Sequence, residues 1–533
     1  MKQSSLVHSN TLMNVTLAQV AAMLPGSECI GDASASINRL QMDSRQVESG
    51  DLFLALKGER FDAHDFLKEL STVAGVSAVV QKNAKSQVIK LGMNAVCVED
   101  TKLALGALAK AWRGLHPIPL IAVTGSNGKT TVTQMIACIL SAHAGDRALA
   151  TQGNLNNDIG LPQTLLRLRS AHTCGVVELG MNHPGEIEYL ANIAQPSVGL
   201  INNAQREHQE FMSTVEAVAI ENGQVIEALP GNGIAVFPFD DEFTPLWVKM
   251  CGKKSYMTFS DEVLAHKKLS DSSRELGNAD VRLTNCAFNG GKWTLKVQTP
   301  QGVLDTELFI AGEHNVKNAL AAIASCLAIQ IPLEKISEGL SQFRAVRGRS
   351  RPLTLNFKTG SLNSSGNVPS NGTSSIAVDV IDDTYNANPD SVIAAINVLS
   401  QMASPSLLIL GDMGEVGSEG PSYHKEVGEY AAKRGVSAFY GLGELTEHAV
   451  NAFNKQAHAD HKLGIHFQSM EDLIRSLPQV PAHFKSVLVK GSRFMKMEQS
   501  VQALETLQSS LQVTELENIK AQLAAQQKES TCC

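Results

Sequence analysis

The sequence predicts an α/β protein of three domains. Short apolar runs alternate with helical periodicity along most of its 533 residues. A strand, a glycine-rich loop and a helix start follow one another directly between residues 120 and 140. A second alternating block opens near residue 340. Alternation of this kind reads as β-α-β units around a mainly parallel sheet, and this length divides into about three domains.

The expected elements follow in order. Residues 1–115 mix the apolar runs Asp51–Leu56 and Val76–Val80 with a helix over Leu103–Trp112. Pro117 and Pro119 then mark a boundary, because proline is poorly tolerated inside elements. In residues 116–340 the predicted strands are Leu120–Thr124, Gly175–Leu179, Val198–Asn202 and Ile234–Phe237. Asn289-Gly290-Gly291 and Pro300-Gln301-Gly302 read as hairpin turns, so a small antiparallel section closes this block. Residues 341–500 return to α/β, with strands at Ile376–Ile381, Leu407–Leu410, Ala438–Tyr440 and Val487–Val489. Within them Gly360–Ser375 is rich in Ser, Asn and Gly and reads as a surface loop. From Val501 to Cys533, leucines at helical spacing predict an amphipathic added helix, and a cut at Gln502 is expected to leave activity intact.

Composition excludes several classes. Lys plus Arg is 45 against 53 for Asp plus Glu, a formal charge of −8, which argues against a nucleic-acid coat or an anionic membrane surface. Hydrophobic residues at 43% and charged ones at 18% suit a globular chain. The N-terminus lacks the apolar core of a signal peptide, and Ala319–Ile329 is about half the ~20 residues that cross a bilayer. The nine cysteines form no CxxC pair. Reduced thiols in a cytoplasmic protein, with no zinc site, are therefore expected, Cys532 and Cys533 being exposed.

The sharpest local signal is Thr124-Gly125-Ser126-Asn127-Gly128-Lys129-Thr130-Thr131. After it Val132, Met135, Ile136, Ile139 and Leu140 share one helix face. Glycines let backbone N–H groups turn onto phosphates, and a helix N-terminus adds partial positive charge. Lys129 would reach the outer phosphates of a triphosphate and the Thr130 hydroxyl would bind Mg²⁺. The usual spacing puts glycine at 123, where this chain has Val123, so the loop must open at Gly125. The bland alternative is a glycine turn with a chance Lys-Thr. Glu178 ends the run Gly175-Val176-Val177, and His208 follows the Val198–Asn202 strand. Each alone reads as structural. Beside a phosphate loop on the same sheet, they read as Mg²⁺ ligands at the carboxyl ends of strands.

Four segments carry a resemblance: the phosphate loop, Asn154-Leu155-Asn156-Asn157-Asp158-Ile159-Gly160-Leu161-Pro162, Glu178-Leu179-Gly180-Met181-Asn182 and Gly312-Glu313-His314-Asn315. Together, in this order, they resemble the ATP-dependent Mur ligases. Gly50–His64, Asp382–Pro389, Leu410–Glu415 and Lys490-Gly491-Ser492-Arg493 point to the branch that adds D-alanyl-D-alanine to UDP-MurNAc-tripeptide. No Asp-Asn-Pro-Arg motif of the diaminopimelate- or lysine-adding branch is present. The resemblance, from about residue 15 to 500, implies a UDP-binding domain, a P-loop ATPase domain and a closing Rossmann-like domain. It implies ATP and Mg²⁺ as cofactors, and an acyl phosphate attacked by the dipeptide amine. A monomer is expected, with no nucleic-acid partner and no membrane insertion.

By motif position the resemblance implies that Gly125, Ser126, Asn127, Gly128, Lys129, Thr130 and Thr131 bind the phosphates. Thr130 and Glu178 would help hold one Mg²⁺ and His208 a second, so Lys129, Glu178 and His208 form the expected catalytic set. Asn318 would meet adenosine, with His314 beside the base, Arg349 at the γ-phosphate and Asp383 at the ribose. Asn386 and Asn388 would line the dipeptide side. Asn154, Asn157, Lys490 and Arg493 are the other expected substrate contacts, and Ser44 and Arg45 would sit near the uridine diphosphate. The local alternative for Asp43-Ser44-Arg45 is a turn with a surface ion pair, and for His314 and Asn318 an exposed helix face.

One departure stands out. The family usually carries a carbamylated lysine where this chain has Asn222. Glu221 or a water network is expected to supply the missing negative charge. The rival readings are a P-loop switch that hydrolyses ATP without joining substrates, and another amide ligase of the same fold such as a folylpolyglutamate synthase.

Overall fold

A computed structural model describes residues 13–207, 210–212, 214–265, 279–289, 291–359, 374–457 and 463–508. Three large sheets organise it, in the α/β arrangement expected.

In the first, strands Glu28–Ile30, Asn94–Val98, Ser77–Gln81, Asp51–Leu54 and Arg39–Gln41 lie side by side, parallel except at the Glu28–Ile30 edge. Successive side chains point to opposite faces. Phe53, Ala78, Val80, Ala95 and Cys97 form a core of their own on one face. Leu52, Leu54, Val79, Val96 and Val98 on the other join the core beneath the central sheet. Burial on both faces explains the unbroken apolar runs of these strands.

The central sheet has nine strands. Ala148–Ala150, Cys174–Glu178, Leu120–Thr124, Val198–Ile201, Ile234–Pro238, Ser255–Ser260 and Val281–Asn289 run parallel in that order. Lys292–Thr299 and Gly302–Leu308 close it antiparallel, as the turn residues predict. Ser255–Ser260 was not anticipated, because its sequence Ser-Tyr-Met-Thr-Phe-Ser has no apolar run. The helix Lys129–Ala144 buries the five residues expected on its inner face.

In the third sheet, Ser374–Asp383, Ser486–Lys490, Ser406–Gly411, Ala438–Leu442 and Leu463–Phe467 are parallel, with Arg351–Thr359 antiparallel on the Ser374–Asp383 edge. The loop expected at Gly360–Ser375 falls outside the described residues from 360 to 373. Beyond residue 500 the structure departs from the expectation of a separate tail. Val501 and Leu504 are each 1% exposed in the core under this sheet, and Leu507 packs beside them. A cut at Gln502 would remove part of that core. Residues 509–533, with Cys532 and Cys533, lie outside the described residues. Among the described residues no helix is long and apolar enough to cross a membrane.

Candidate functional site

The site gathers at the carboxyl ends of the central strands, where open α/β sheets bind ligands. Strand Leu120–Thr124 runs straight into the loop, and the helix starts at Lys129. Gly125 has φ +127, and a Cβ there would lie 3.0 Å from the Asn202 nitrogen. Gly128 has φ +81, and its Cβ would lie 2.6 Å from Asn318 Oδ1. Both positions therefore require glycine.

Neighbouring amides pin the loop. Asn127 N donates to Asn203 Oδ1 at 2.8 Å, and Asn202 Nδ2 donates to Asn127 O at 2.7 Å. Asn202 Nδ2 also reaches Asn318 Oδ1 at 2.9 Å, which places Asn318 against the loop and not on an exposed face. Ser126 exchanges hydrogen bonds with Gln205, donating to its carbonyl and accepting from its N–H. Lys129 Nζ donates to Gly125 O at 2.6 Å and Ser126 O at 3.1 Å, and pairs with Glu207 at 2.9 Å.

Thr130 Oγ1 donates to Glu178 Oε1 at 3.2 Å, and Arg349 donates to the same hydroxyl at 3.1 Å. Asn156 Nδ2 also holds Glu178 Oε1, at 2.7 Å. Glu178 is 2% exposed, and its Oε2 has no hydrogen-bond partner. A carboxylate oxygen buried without a donor is costly unless a cation meets it. Paired with the Thr130 hydroxyl, it offers the hard oxygens Mg²⁺ prefers, with phosphate and water to complete the shell. Among the described residues no group of three or more His, Cys, Asp or Glu could hold a metal by itself. His208 lies outside them.

A cavity of about 1250 Å³ opens over the loop, and the third sheet forms its far wall. Asp383 takes Lys490 Nζ at 2.6 Å and the Ser350 N–H at 2.9 Å. Burial alone would raise its carboxyl, but Lys490 and Ser350 hold it below the ordinary value. Arg349 lies 3.8 Å over the Tyr385 ring. His314 lines the cavity, its ring lowered in basicity by burial. Asn386, Lys490 and the largely exposed Arg493 line it too. Asn388 caps the helix Pro389–Ser400 and reaches across to Asn127 at 2.9 Å, joining the third sheet to the phosphate loop.

Other expected residues stand apart. Ser44 and Arg45 belong to a short turn in which Arg45 pairs with Asp43 at 2.8 Å, outside this cavity. Asn154 is exposed outside it. Asn157, by contrast, lines the cavity, and its Oδ1 accepts from Gly160 N at the start of the helix Gly160–Leu165.

The structure gives Asn222 and Glu221 separate tasks. Asn222 is fully buried, and its Oδ1 accepts from the Thr124 hydroxyl at 2.5 Å and from Gly125 N at 2.9 Å. It fastens the opening of the loop. Glu221 accepts from Gly185 N at 3.0 Å and Ile187 N at 2.9 Å, capping the helix Glu186–Ala194, so its charge is committed there. Residues not anticipated include Asn156, Asn202, Asn203, Arg206 and Glu207. The Asn-dense turn carries part of the resemblance but gives Asn156 no role of its own, and Asn202–Glu207 reads only as a polar stretch after a strand.

Profiles of three consecutive domains match: "Mur ligase family, catalytic domain" over residues 36–113, "Mur ligase middle domain" over 123–326, and "Mur ligase, glutamate ligase domain" over 372–493. UDP-N-acetylmuramoyl-tripeptide–D-alanyl-D-alanine ligase of Escherichia coli (strain K12) is 35% identical over 496 residues, covering 93% of this chain and 99% of that protein. The chain belongs to the Mur ligase family. The ligase of the same name from Bacillus subtilis (strain 168) is 30% identical, over 92% and 98% of the two chains. A crystal structure of MurF from Acinetobacter baumannii superposes with a TM-score of 0.78 at 32% identity, over 93% and 99% of the chains. The three-domain Mur ligase fold is thus that of this chain, an ATP-dependent ligase family forming carbon–nitrogen bonds.

Proposed function

We propose that this Mur ligase joins D-alanyl-D-alanine to UDP-MurNAc-tripeptide, with ATP and Mg²⁺, to give UDP-MurNAc-pentapeptide for peptidoglycan. The observation that carries the reading is the full-length match to ligases of that name, with the phosphate loop and Glu178 intact. Residues 1–115 take the uridine diphosphate end, with Ser44 and Arg45 at that end, residues 116–340 the ATP, and residues 341–500 the closing side. The work is done in the cytoplasm.

The chemistry follows from charge. A carboxylate is a poor acyl donor, so its oxygen attacks the γ-phosphorus and ADP leaves, forming an acyl phosphate. The dipeptide amine then attacks the acyl carbon, loses a proton, and phosphate leaves. Bringing carboxylate and phosphate together needs positive charge, which Lys129 of the loop and Arg349, bonded to the Thr130 hydroxyl, provide. Mg²⁺, when bound, would neutralise phosphate charge and polarise the transferred group, with Thr130 and Glu178 to hold it. The third sheet shields the acyl phosphate from water.

Phosphate release by purified protein with Mg²⁺-ATP tests this. Release should need both UDP-MurNAc-tripeptide and D-Ala-D-Ala, with a product heavier by the dipeptide minus water. Release that ignores both would favour the P-loop switch. Lys129→Ala should lose at least about 100-fold in turnover.

A further inference from the structure

Glu207 is the acidic group beside Lys129 that the chemistry above leaves without a task. It is 7% exposed and lines the same cavity as Glu178. Its carboxylate is one of three acceptors around Lys129 Nζ, with the carbonyls of Gly125 and Ser126. All three ammonium donors are therefore turned back on the protein. A triphosphate needs at least one of them, and Glu207 is the anionic competitor.

The local charges sharpen the conflict. Beside the loop, among the described residues, the charges of Lys129 and Arg349 are offset by two buried carboxylates, Glu178 and Glu207, so nucleotide phosphates arrive next to like charge. Like charges at such burial repel strongly. Glu178 Oε2, buried and without a donor, marks where a cation is wanted. Asn222 is neutral and tied to the loop, and Glu221 is tied to a helix start.

We propose that Glu207 is a positioning carboxylate that couples nucleotide binding to Mg²⁺. Without the cation it holds Lys129 and opposes the phosphates; with the cation its charge is matched and Lys129 is free to turn. The proposal rests on the ligase reading, and concerns how that site admits its nucleotide.

The test is calorimetric binding of a non-hydrolysable ATP analogue to the full chain, in EDTA and with Mg²⁺. Wild-type protein should gain affinity strongly with Mg²⁺. Glu207→Gln should bind about tenfold more tightly than wild type in EDTA, and gain correspondingly less from Mg²⁺. Glu207→Asp should restore the wild-type dependence. A merely structural role predicts weaker binding by Glu207→Gln under both conditions, or the same Mg²⁺ dependence as wild type; either overturns the proposal. Wild-type protein that binds no analogue at all would overturn the ligase reading with it.

Discussion

Arg206 supplies the ion pairs that help Asn388 and Arg349 fasten the third sheet to the phosphate-loop side, and removing it should loosen the molecule. Its guanidinium meets Asp390 at 2.6 and 3.1 Å and Glu426 at 2.8 and 3.2 Å, its Cζ lies 5.2 Å from the centre of the Tyr423 ring, and its backbone N–H donates to Asp390 at 2.9 Å. Both carboxylates belong to helices of the third sheet, Pro389–Ser400 and Gly420–Lys433. The Arg206 and Asp390 side chains are each 24% exposed, and Glu426 is 43% exposed. Hydrogen bonds to charged groups contribute about 1.5–3 kcal/mol when buried, whereas exposed pairs contribute about 0–1 kcal/mol. With Asp390 near the first range and Glu426 near the second, Arg206→Ala should cost the docked state about 2 kcal/mol, roughly a 30-fold shift. Small-angle scattering should show an enlarged radius of gyration without substrates. The apparent KM for the dipeptide should rise by up to about 30-fold, because only the docked fraction binds it competently. ATP-analogue affinity, set by the phosphate loop, should change far less. Glu426→Gln should give a smaller shift, about fivefold or less. An Arg206→Ala protein with unchanged radius and unchanged dipeptide KM would refute the reasoning.

Three further outcomes follow from the same contacts. Asn222→Ala strips the acceptor from the Thr124 hydroxyl and Gly125 N–H at a fully buried position, so about 2 kcal/mol of stability should go, lowering the melting temperature by about 5 °C. An unchanged melting curve would show that water replaces the amide. A chain ending at Ser500 loses buried Val501 and Leu504 and about 4 kcal/mol relative to one ending at Gln508; equal melting of the two would place Leu504 outside the core. The Asp383–Lys490 pair predicts an acid-side effect. Because the folded carboxyl titrates below its ordinary value of 3.8, the pair's contribution is complete above that pH and is lost as pH falls through the lower folded value. The stability gap between wild type and Lys490→Met should therefore shrink on acidification below about pH 4. A gap independent of pH would mean the loss is packing alone.

What the sequence disclosed was what lies close along the chain. Strand Leu120–Thr124, the glycines and the helix face from Val132 to Leu140 belong to one continuous segment, and each constrains the next, so the phosphate loop was legible at once. Strands such as Val198–Ile201 and Leu407–Leu410 were legible because burial on both faces makes their runs apolar throughout. Ser255–Ser260 and Leu463–Phe467 were not, since their mixed composition is made strand-like only by neighbours supplied from elsewhere. The same distinction divides the site. Glu178 could be found because a carboxylate at a strand's end beside a phosphate loop has few other meanings. Glu207 and Arg206 could not, because their partners stand 78, 184 and 220 positions away. Asn222 and Glu221 show the converse error. Adjacent in sequence, they were read as one feature, yet successive residues on a helix face in different directions, and these two serve the loop and a neighbouring helix start. A motif identifies the chemistry a fold is built around. The charges that make that chemistry conditional, on a docked third sheet through Arg206 or on a cation through Glu207, arise only where distant segments meet.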